Sequence, residues 1–207
     1  MWLDVFNANP YGTNCWLLSP DGADEAVVVD PGFSPDAVHE LLAGAGKTPV
    51  AVLATHGHSD HVGHAGPFAR GVPVFVHEED AVAFTDEAAW NAGFANPVEP
   101  ADDLRTIADG DVLRLAGLEI RVLHTPGHTR GHCVFVVDGE IAVCSGDLVF
   151  AGAIGRSDFP NSDPSAMPAS LTRFLELPDD LPVLPGHGPT TTVGRERATN
   201  PFLRAPV

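Results

Sequence analysis

Four side chains able to ligate a metal ion, His56, His58, Asp60 and His61, stand within six consecutive positions directly behind the apolar run Val50 to Ala54. A β-branched run of that length reads as a buried strand, so the cluster falls on a loop where a strand reaches the surface. Such loops are where rigid scaffolds present reactive groups. Alternation along the chain lets His56 and His58 point to one side while Asp60 and His61 turn toward a neighbouring position. Two adjacent metal positions follow from that spacing.

Three further turns carry a ligand type beside glycine, each behind an apolar stretch: Thr125-Pro126-Gly127-His128, Ser145-Gly146-Asp147 and Leu184-Pro185-Gly186-His187-Gly188. Any one of them alone is an ordinary turn. Together with the first cluster they supply seven ligands of the imidazole and carboxylate kind, a full set for two ions.

The rest of the chain supplies the scaffold. Apolar runs Cys15 to Leu18, Ala26 to Val29, Val72 to Val76, Val112 to Leu115, Leu118 to Leu123, Cys133 to Val137 and Ile141 to Cys144 read as strands between Gly and Pro punctuation. Turns at Ala116-Gly117 and Asp138-Gly139-Glu140 make two hairpins of four of these runs. In SPDAVHELLAGAG, Ser34 is placed to cap a helix, Pro35 fits its first position, and Val38, Leu41, Leu42 and Ala45 form one apolar stripe. A second helix is expected to start near Asp163, with Pro164 at its first position and Leu171, Phe174 and Leu175 buried. Strands mixed with helices in this order predict a layered α/β domain, and 207 residues without a linker-like stretch predict a single unit over 1–207.

Composition narrows the function classes. Hydrophobic residues make up 44% and charged residues 19% of the chain, as in a globular protein. With no apolar run near the roughly 20 residues of a bilayer span and no signal-peptide pattern at the start, a cytoplasmic protein without a membrane partner is expected. The net charge of -17 argues against a nucleic-acid partner. Cys15, Cys133 and Cys144 form no paired motif and read as buried free thiols.

The motifs THGHSDHVGH, TPGHTRGH, SGD and LPGHGP, in that order across most of the chain, resemble those of the metallo-β-lactamase superfamily. The resemblance implies a four-layered αβ/βα sandwich, two mixed sheets with helices outside, and metals at one edge. It implies that His56, His58 and His128 hold one ion, that Asp60, His61 and His187 hold the other, and that Asp147 bridges them. Asp30 matches a position that hydrogen-bonds near the metals. The ligand types suit zinc, with iron or manganese also compatible. Two ions roughly 3.5–4 Å apart can share a hydroxide and lower the pKa of water from 15.7 to about 7, with Asp60 and Asp147 ionised and catalytic. Among the remaining histidines, His39, His64, His77, His124 and His132, the spacing of His64 and His132 from the ligands marks them as able to orient one.

Gly146 to Phe159, Pro185 to Thr190 and the tail GRERATNPF look like the short, single-domain, glyoxalase II-like branch. That likeness implies hydrolysis of a small-molecule acyl-thiol, a thioester of the hydroxyacyl-glutathione kind. The larger enzymes of that branch place a Lys for the glutathione carboxylate where this chain has Arg156, which makes Arg156 a candidate substrate-binding residue. They also carry a helical domain for which this sequence has no counterpart. The alternatives are a mononuclear-iron persulfide dioxygenase and a lactonase or β-lactamase.

Overall fold

In the computed structural model, residues 1–86, 90, 97–137, 139 and 141–203 are described. Strands β1 (Trp2–Phe6), β2 (Cys15–Ser19), β3 (Glu25–Val29), β4 (Thr48–Leu53), β5 (Val74–His77) and β6 (Leu104–Ile107) form one sheet in chain order. Pairing is antiparallel from β1 to β3 and parallel from β3 to β6. The second sheet begins with β7 (Val112–Leu115), β8 (Leu118–His124), β9 (Cys133–Val137) and β10 (Ala142–Gly146). A separate hairpin of β11 (Val149–Phe150) and β12 (Ala153–Ile154) follows, and β13 (Pro182–Pro185) and β14 (Thr191–Thr192) return to the second sheet beyond β10. All of its pairs are antiparallel except β10 with β13.

Period-two alternation sorts the strand side chains into layers. Trp16, Leu18, Val27, Val29 and Leu53 of the first sheet pack against Ile120, Val122, Phe135, Val137 and Cys144 of the second, forming the core between the sheets. The intervening residues Leu17, Val28 and Val52 face away and pack on Val38 and Leu42 of α1 (Pro35–Gly44), Val62 of α2 (Ser59–Val62) and Phe68 of α3 (Ala65–Phe68). On the far side, Val134, Val136 and Val143 bury Leu171 and Phe174 of α4 (Met167–Phe174) and Val193 of α5 (Val193–Thr199). Helices therefore lie outside two mixed sheets, the expected αβ/βα sandwich. Strands covered on both faces read as unbroken apolar runs, which is why β3 and β9 were plain in the sequence.

Differences from expectation fall at edges and helix starts. Strands β1 and β6 pass unnoticed because each lies at an end of its sheet and keeps exposed residues. Ser34 has a left-handed φ of 50° and its side chain makes no cap, so α1 starts on Pro35 alone. Leu41 is 37% exposed and Ala45 lies beyond the helix, which narrows the stripe to Val38 and Leu42. The second helix starts at Met167, because Asp163 Oδ1 accepts from the backbone N–H of Ser165 and Ala166 and turns the chain first. Leu171 and Phe174 are buried as expected, while Leu175 sits past the helix end and is half-buried. Ala116 and Gly117 have φ of 52° and 80°, both positive as a two-residue I′ hairpin turn requires. Of the other turn, Gly139 has φ 64°, and Asp138 and Glu140 lie outside the described residues. The three cysteines are free and buried. Among the described residues no helix is long and apolar enough to cross a membrane.

Candidate metal centre

All four ligand-bearing loops emerge at one end of the sandwich. The loop after β4 carries His56 and His58 and runs into α2, which holds Asp60 and His61; His128, Asp147 and His187 follow β8, β10 and β13 of the other sheet. Two glycines are fixed by crowding. A Cβ on Gly57 would lie 2.8 Å from Ala83 Cβ and from Trp90 Nε1, which donates to the Gly57 carbonyl at 2.8 Å. A Cβ on Gly186 would run into the Asp147 carboxylate. Backbone thus packs where side chains elsewhere would, letting the loops close on one another.

The seven predicted ligands converge. Metal-ligating atoms of His56, His58 and His128 lie within 4.8 Å of one another, as do those of Asp60, His61 and His187, and those of His56, His61 and Asp147. His61 Nε2 is 3.5 Å from Asp60 Oδ2 and 3.3 Å from Asp147 Oδ1; His187 Nε2 is 3.2 Å from Asp60 Oδ2 and 3.5 Å from Asp147 Oδ2. On the other side Asp147 Oδ2 is 3.4 Å from His128 Nε2, so this carboxylate lies between the two groups.

Outer hydrogen bonds decide which ring nitrogen faces inward. His128 Nδ1 donates to the Arg156 carbonyl at 2.7 Å and His61 Nδ1 donates to Asp30 Oδ2 at 2.9 Å, leaving Nε2 of each as the inner atom. His56 Nδ1 meets Thr55 Oγ1 at 3.0 Å, and His58 Nε2 donates to Asn161 Oδ1 at 3.3 Å. His58 Nδ1 and His128 Nε2, both lone-pair nitrogens in this scheme, then face each other at 2.9 Å. Two acceptors at that distance need a proton or cation between them. Among the described residues the buried His56 Nε2 has no hydrogen-bond partner, which is costly for a polar atom and natural for a metal ligand. The residues present therefore fit divalent metal ions.

Burial is the largest influence on every one of these rings and favours the neutral form. It prevails at His56, His58 and His128, all held below the ordinary imidazole range, with His58 at about 3. At His61 and His187 burial is outweighed by Asp60 and Asp147, and both rings are raised. Burial alone would lift the carboxyls of Asp60 and Asp147; His61 first, joined by His187, reverses this and holds both low. One group thus presents three neutral imidazoles and the other a network of ion pairs.

Asp30, with a left-handed φ of 57°, accepts from Thr55 N–H at 2.8 Å and Thr55 Oγ1–H at 2.6 Å besides His61. A strained non-glycine backbone held by three hydrogen bonds is a mark of a functional site. His132 is fully buried; its Nε2 accepts from the Asp147 N–H at 3.1 Å, while its Nδ1 meets Thr125 Oγ1. His64 instead donates to the Gly32 carbonyl at 2.8 Å. Sequence reasoning missed Thr13, whose hydroxyl donates to Asp60 Oδ2 at 3.0 Å, and Asn161, both of which lie in polar stretches without a motif. It also missed Asp80, a buried carboxyl that burial pushes up to about 6 against the pull of its donors Thr129, Gly57 and Gly131.

Above the ligands opens a cleft of about 390 Å³ walled by Tyr11, Phe150, Ile154 and Phe159. Arg156 stands at its rim, with Nε 2.6 Å and Nη2 2.9 Å from the two Asp158 oxygens and its guanidinium 4.4 Å over the Phe159 ring. Both ends of that fork are exposed.

Residues 8–195 match the family model described as the metallo-beta-lactamase superfamily. The chain is 33% identical over 211 residues to hydroxyacylglutathione hydrolase GloC of Haemophilus influenzae, covering 99% of each. Among solved structures, BLEG-1 B3 metallo-beta-lactamase superposes with a TM-score of 0.89 at 32% identity, covering 99% of this chain and 100% of that one. TTHA1623 in a di-iron-bound form does so with 0.83 at 41%, covering 97% and 100%.

Proposed function

The chain belongs to the metallo-β-lactamase superfamily, and from that premise we propose that it is a two-metal hydrolase that cleaves the thioester of a small acyl-thiol. The reading rests on one observation above all: seven candidate ligands converge, five of them, His58, Asp60, His128, Asp147 and His187, lining a cleft whose walls are largely apolar. His56, His58 and His128 would hold one divalent ion, Asp60, His61 and His187 the other, with Asp147 shared; zinc is our choice for both. Bound there, the pair supplies Lewis acidity and a water of pKa near 7.

The chain's own residues do the rest. Asp30, the Arg156 carbonyl and Asn161 fix which nitrogen of His61, His128 and His58 points inward. Asp60 and Asp147, held ionised by the surrounding imidazoles, are placed to accept hydrogen bonds from a nucleophilic water. Phe150, Ile154 and Phe159 exclude bulk water from one side of the acyl group. A thiolate leaves without needing a proton, so no general acid is required at that position. Arg156 binds a substrate carboxylate by taking it in place of Asp158.

The test is thiol release, followed with a thiol-reactive dye, from S-lactoylglutathione and an uncharged acyl-thiol by the metal-loaded protein. Release that stops on chelation supports the proposal. Oxygen uptake on a persulfide with one iron per chain overturns it. The likeness to BLEG-1 favours β-lactam hydrolysis as a second reading, and a chromogenic cephalosporin decides between the two.

A further inference from the structure

Outside the ligand set, one carboxylate joins loops from the two sheets. Asp80 is fully buried and follows β5, where its N–H donates to the His77 carbonyl and its own carbonyl accepts from Ala83 at the start of a one-turn 3₁₀ segment, Ala81–Phe84. Its side chain is therefore aimed by backbone bonds on both sides. Oδ2 accepts from Gly57 N–H at 2.9 Å and Thr129 Oγ1–H at 2.6 Å; Oδ1 accepts from Gly131 N–H at 2.7 Å. Gly57 sits between His56 and His58 on the loop from the first sheet. Thr129 and Gly131 follow His128 on the loop from the second. A Cβ on Gly131 would lie 2.5 Å from Asp80 Oδ1, so the approach is close enough to require glycine.

We propose that Asp80 is a positioning residue that locks these two loops in register and so assembles the three-imidazole group His56, His58 and His128. Each of the three histidines is adjacent to a residue that donates to Asp80. Asp60, His61 and His187 are not; Thr13 bonds Asp60 and Asp30 bonds His61 instead. The lock therefore acts on one ion of the pair. Outer partners of ligands carry about tenfold to a hundredfold of metal affinity, and Asp80 holds three donors at once.

The inference rests on the two-metal reading above, and its test separates the two. Zinc-loaded protein is titrated with a chromophoric chelator to give two stepwise dissociation constants, and His187→Ala identifies the step that belongs to the Asp60 group. In Asp80→Asn an amide NH₂ faces a donor; the constant of the three-imidazole step is expected to weaken about tenfold to a hundredfold while the other stays within about threefold. Thr129→Val removes one of the three bonds and leaves Asp80 in place, with an expected loss of about threefold to tenfold at the same step. Wild-type constants in Asp80→Asn, or equal weakening of both steps, would overturn the proposal. If Asp80→Asn does not fold, Thr129→Val decides by the same criteria. Wild-type protein that takes up no zinc would refute the two-metal reading itself.

Discussion

Replacing Glu196 by alanine should unpin one wall of the cleft and cost measurable stability. Glu196 lies on α5, fully buried, and accepts three hydrogen bonds: Gly152 N–H at 2.8 Å, Thr191 Oγ1–H at 2.6 Å and Asn200 Nδ2–H at 2.9 Å. Gly152 is the turn of the β11–β12 hairpin, whose Phe150 and Ile154 line the cleft, and Asn200 Nδ2 also donates to the Ala153 carbonyl of that hairpin at 2.9 Å. Alanine strands the Gly152 N–H and the Thr191 hydroxyl, each at about 1–3 kcal/mol, while Asn200 keeps another acceptor. The sum of about 2–6 kcal/mol corresponds to a drop of roughly 4–24 °C in Tm for a chain of this size. Calorimetry of the metal-loaded variant reads that drop. If the proposed thioester is the substrate, its kinetics should show a raised KM with kcat less affected, because the wall would bind substrate without touching the bond that breaks. A Tm within about 2 °C of wild type together with an unchanged KM would refute the assignment of this carboxylate as the hairpin's anchor.

Asp147→Ala should lower metal content more than Asp60→Ala, since Asp147 lies between both ligand groups; elemental analysis showing equal retention would argue against sharing. Arg156→Ala should raise KM for S-lactoylglutathione about tenfold to a hundredfold, from a charged hydrogen bond of about 1.5–3 kcal/mol, and leave an uncharged thioester unaffected. Equal loss on both substrates would mean that the guanidinium serves only Asp158. Acidification should release the ion of the Asp60 group first, because His61 and His187 are raised and compete for protons, whereas His56, His58 and His128 are lowered and stay neutral. Stepwise metal release measured against pH checks the order, and the reverse order refutes it.

What the sequence disclosed depended on how local the signal was. His56, His58, Asp60 and His61 are neighbours in the chain, and a strand runs straight into them, so both their clustering and their place at a strand end could be read directly. His128, Asp147 and His187 each gained meaning only from the others. Asp80, Thr13 and Asn161 could not be found this way, because their roles come from bonds to residues 49, 47 and 103 positions away. The acidic stretch HEEDAV gives Asp80 no mark that separates it from its exposed neighbours Glu78 and Glu79. Ser34 shows the opposite failure: a residue type suited to capping that stands at a left-handed φ of 50° and makes no cap hydrogen bond.

Asp60, His61, His56 and His58 hang from one sheet, and His128, Asp147 and His187 from the other. An ion gripped by both sets is a tie across the seam of the sandwich, and the unfolded chain offers no such grip. Metal supply would thereby become part of the folding equilibrium: at a free ion concentration a hundred times the dissociation constant, the native state would gain about 2.7 kcal/mol. Starving the protein of metal would then shorten its lifetime against proteases as well as stop its chemistry.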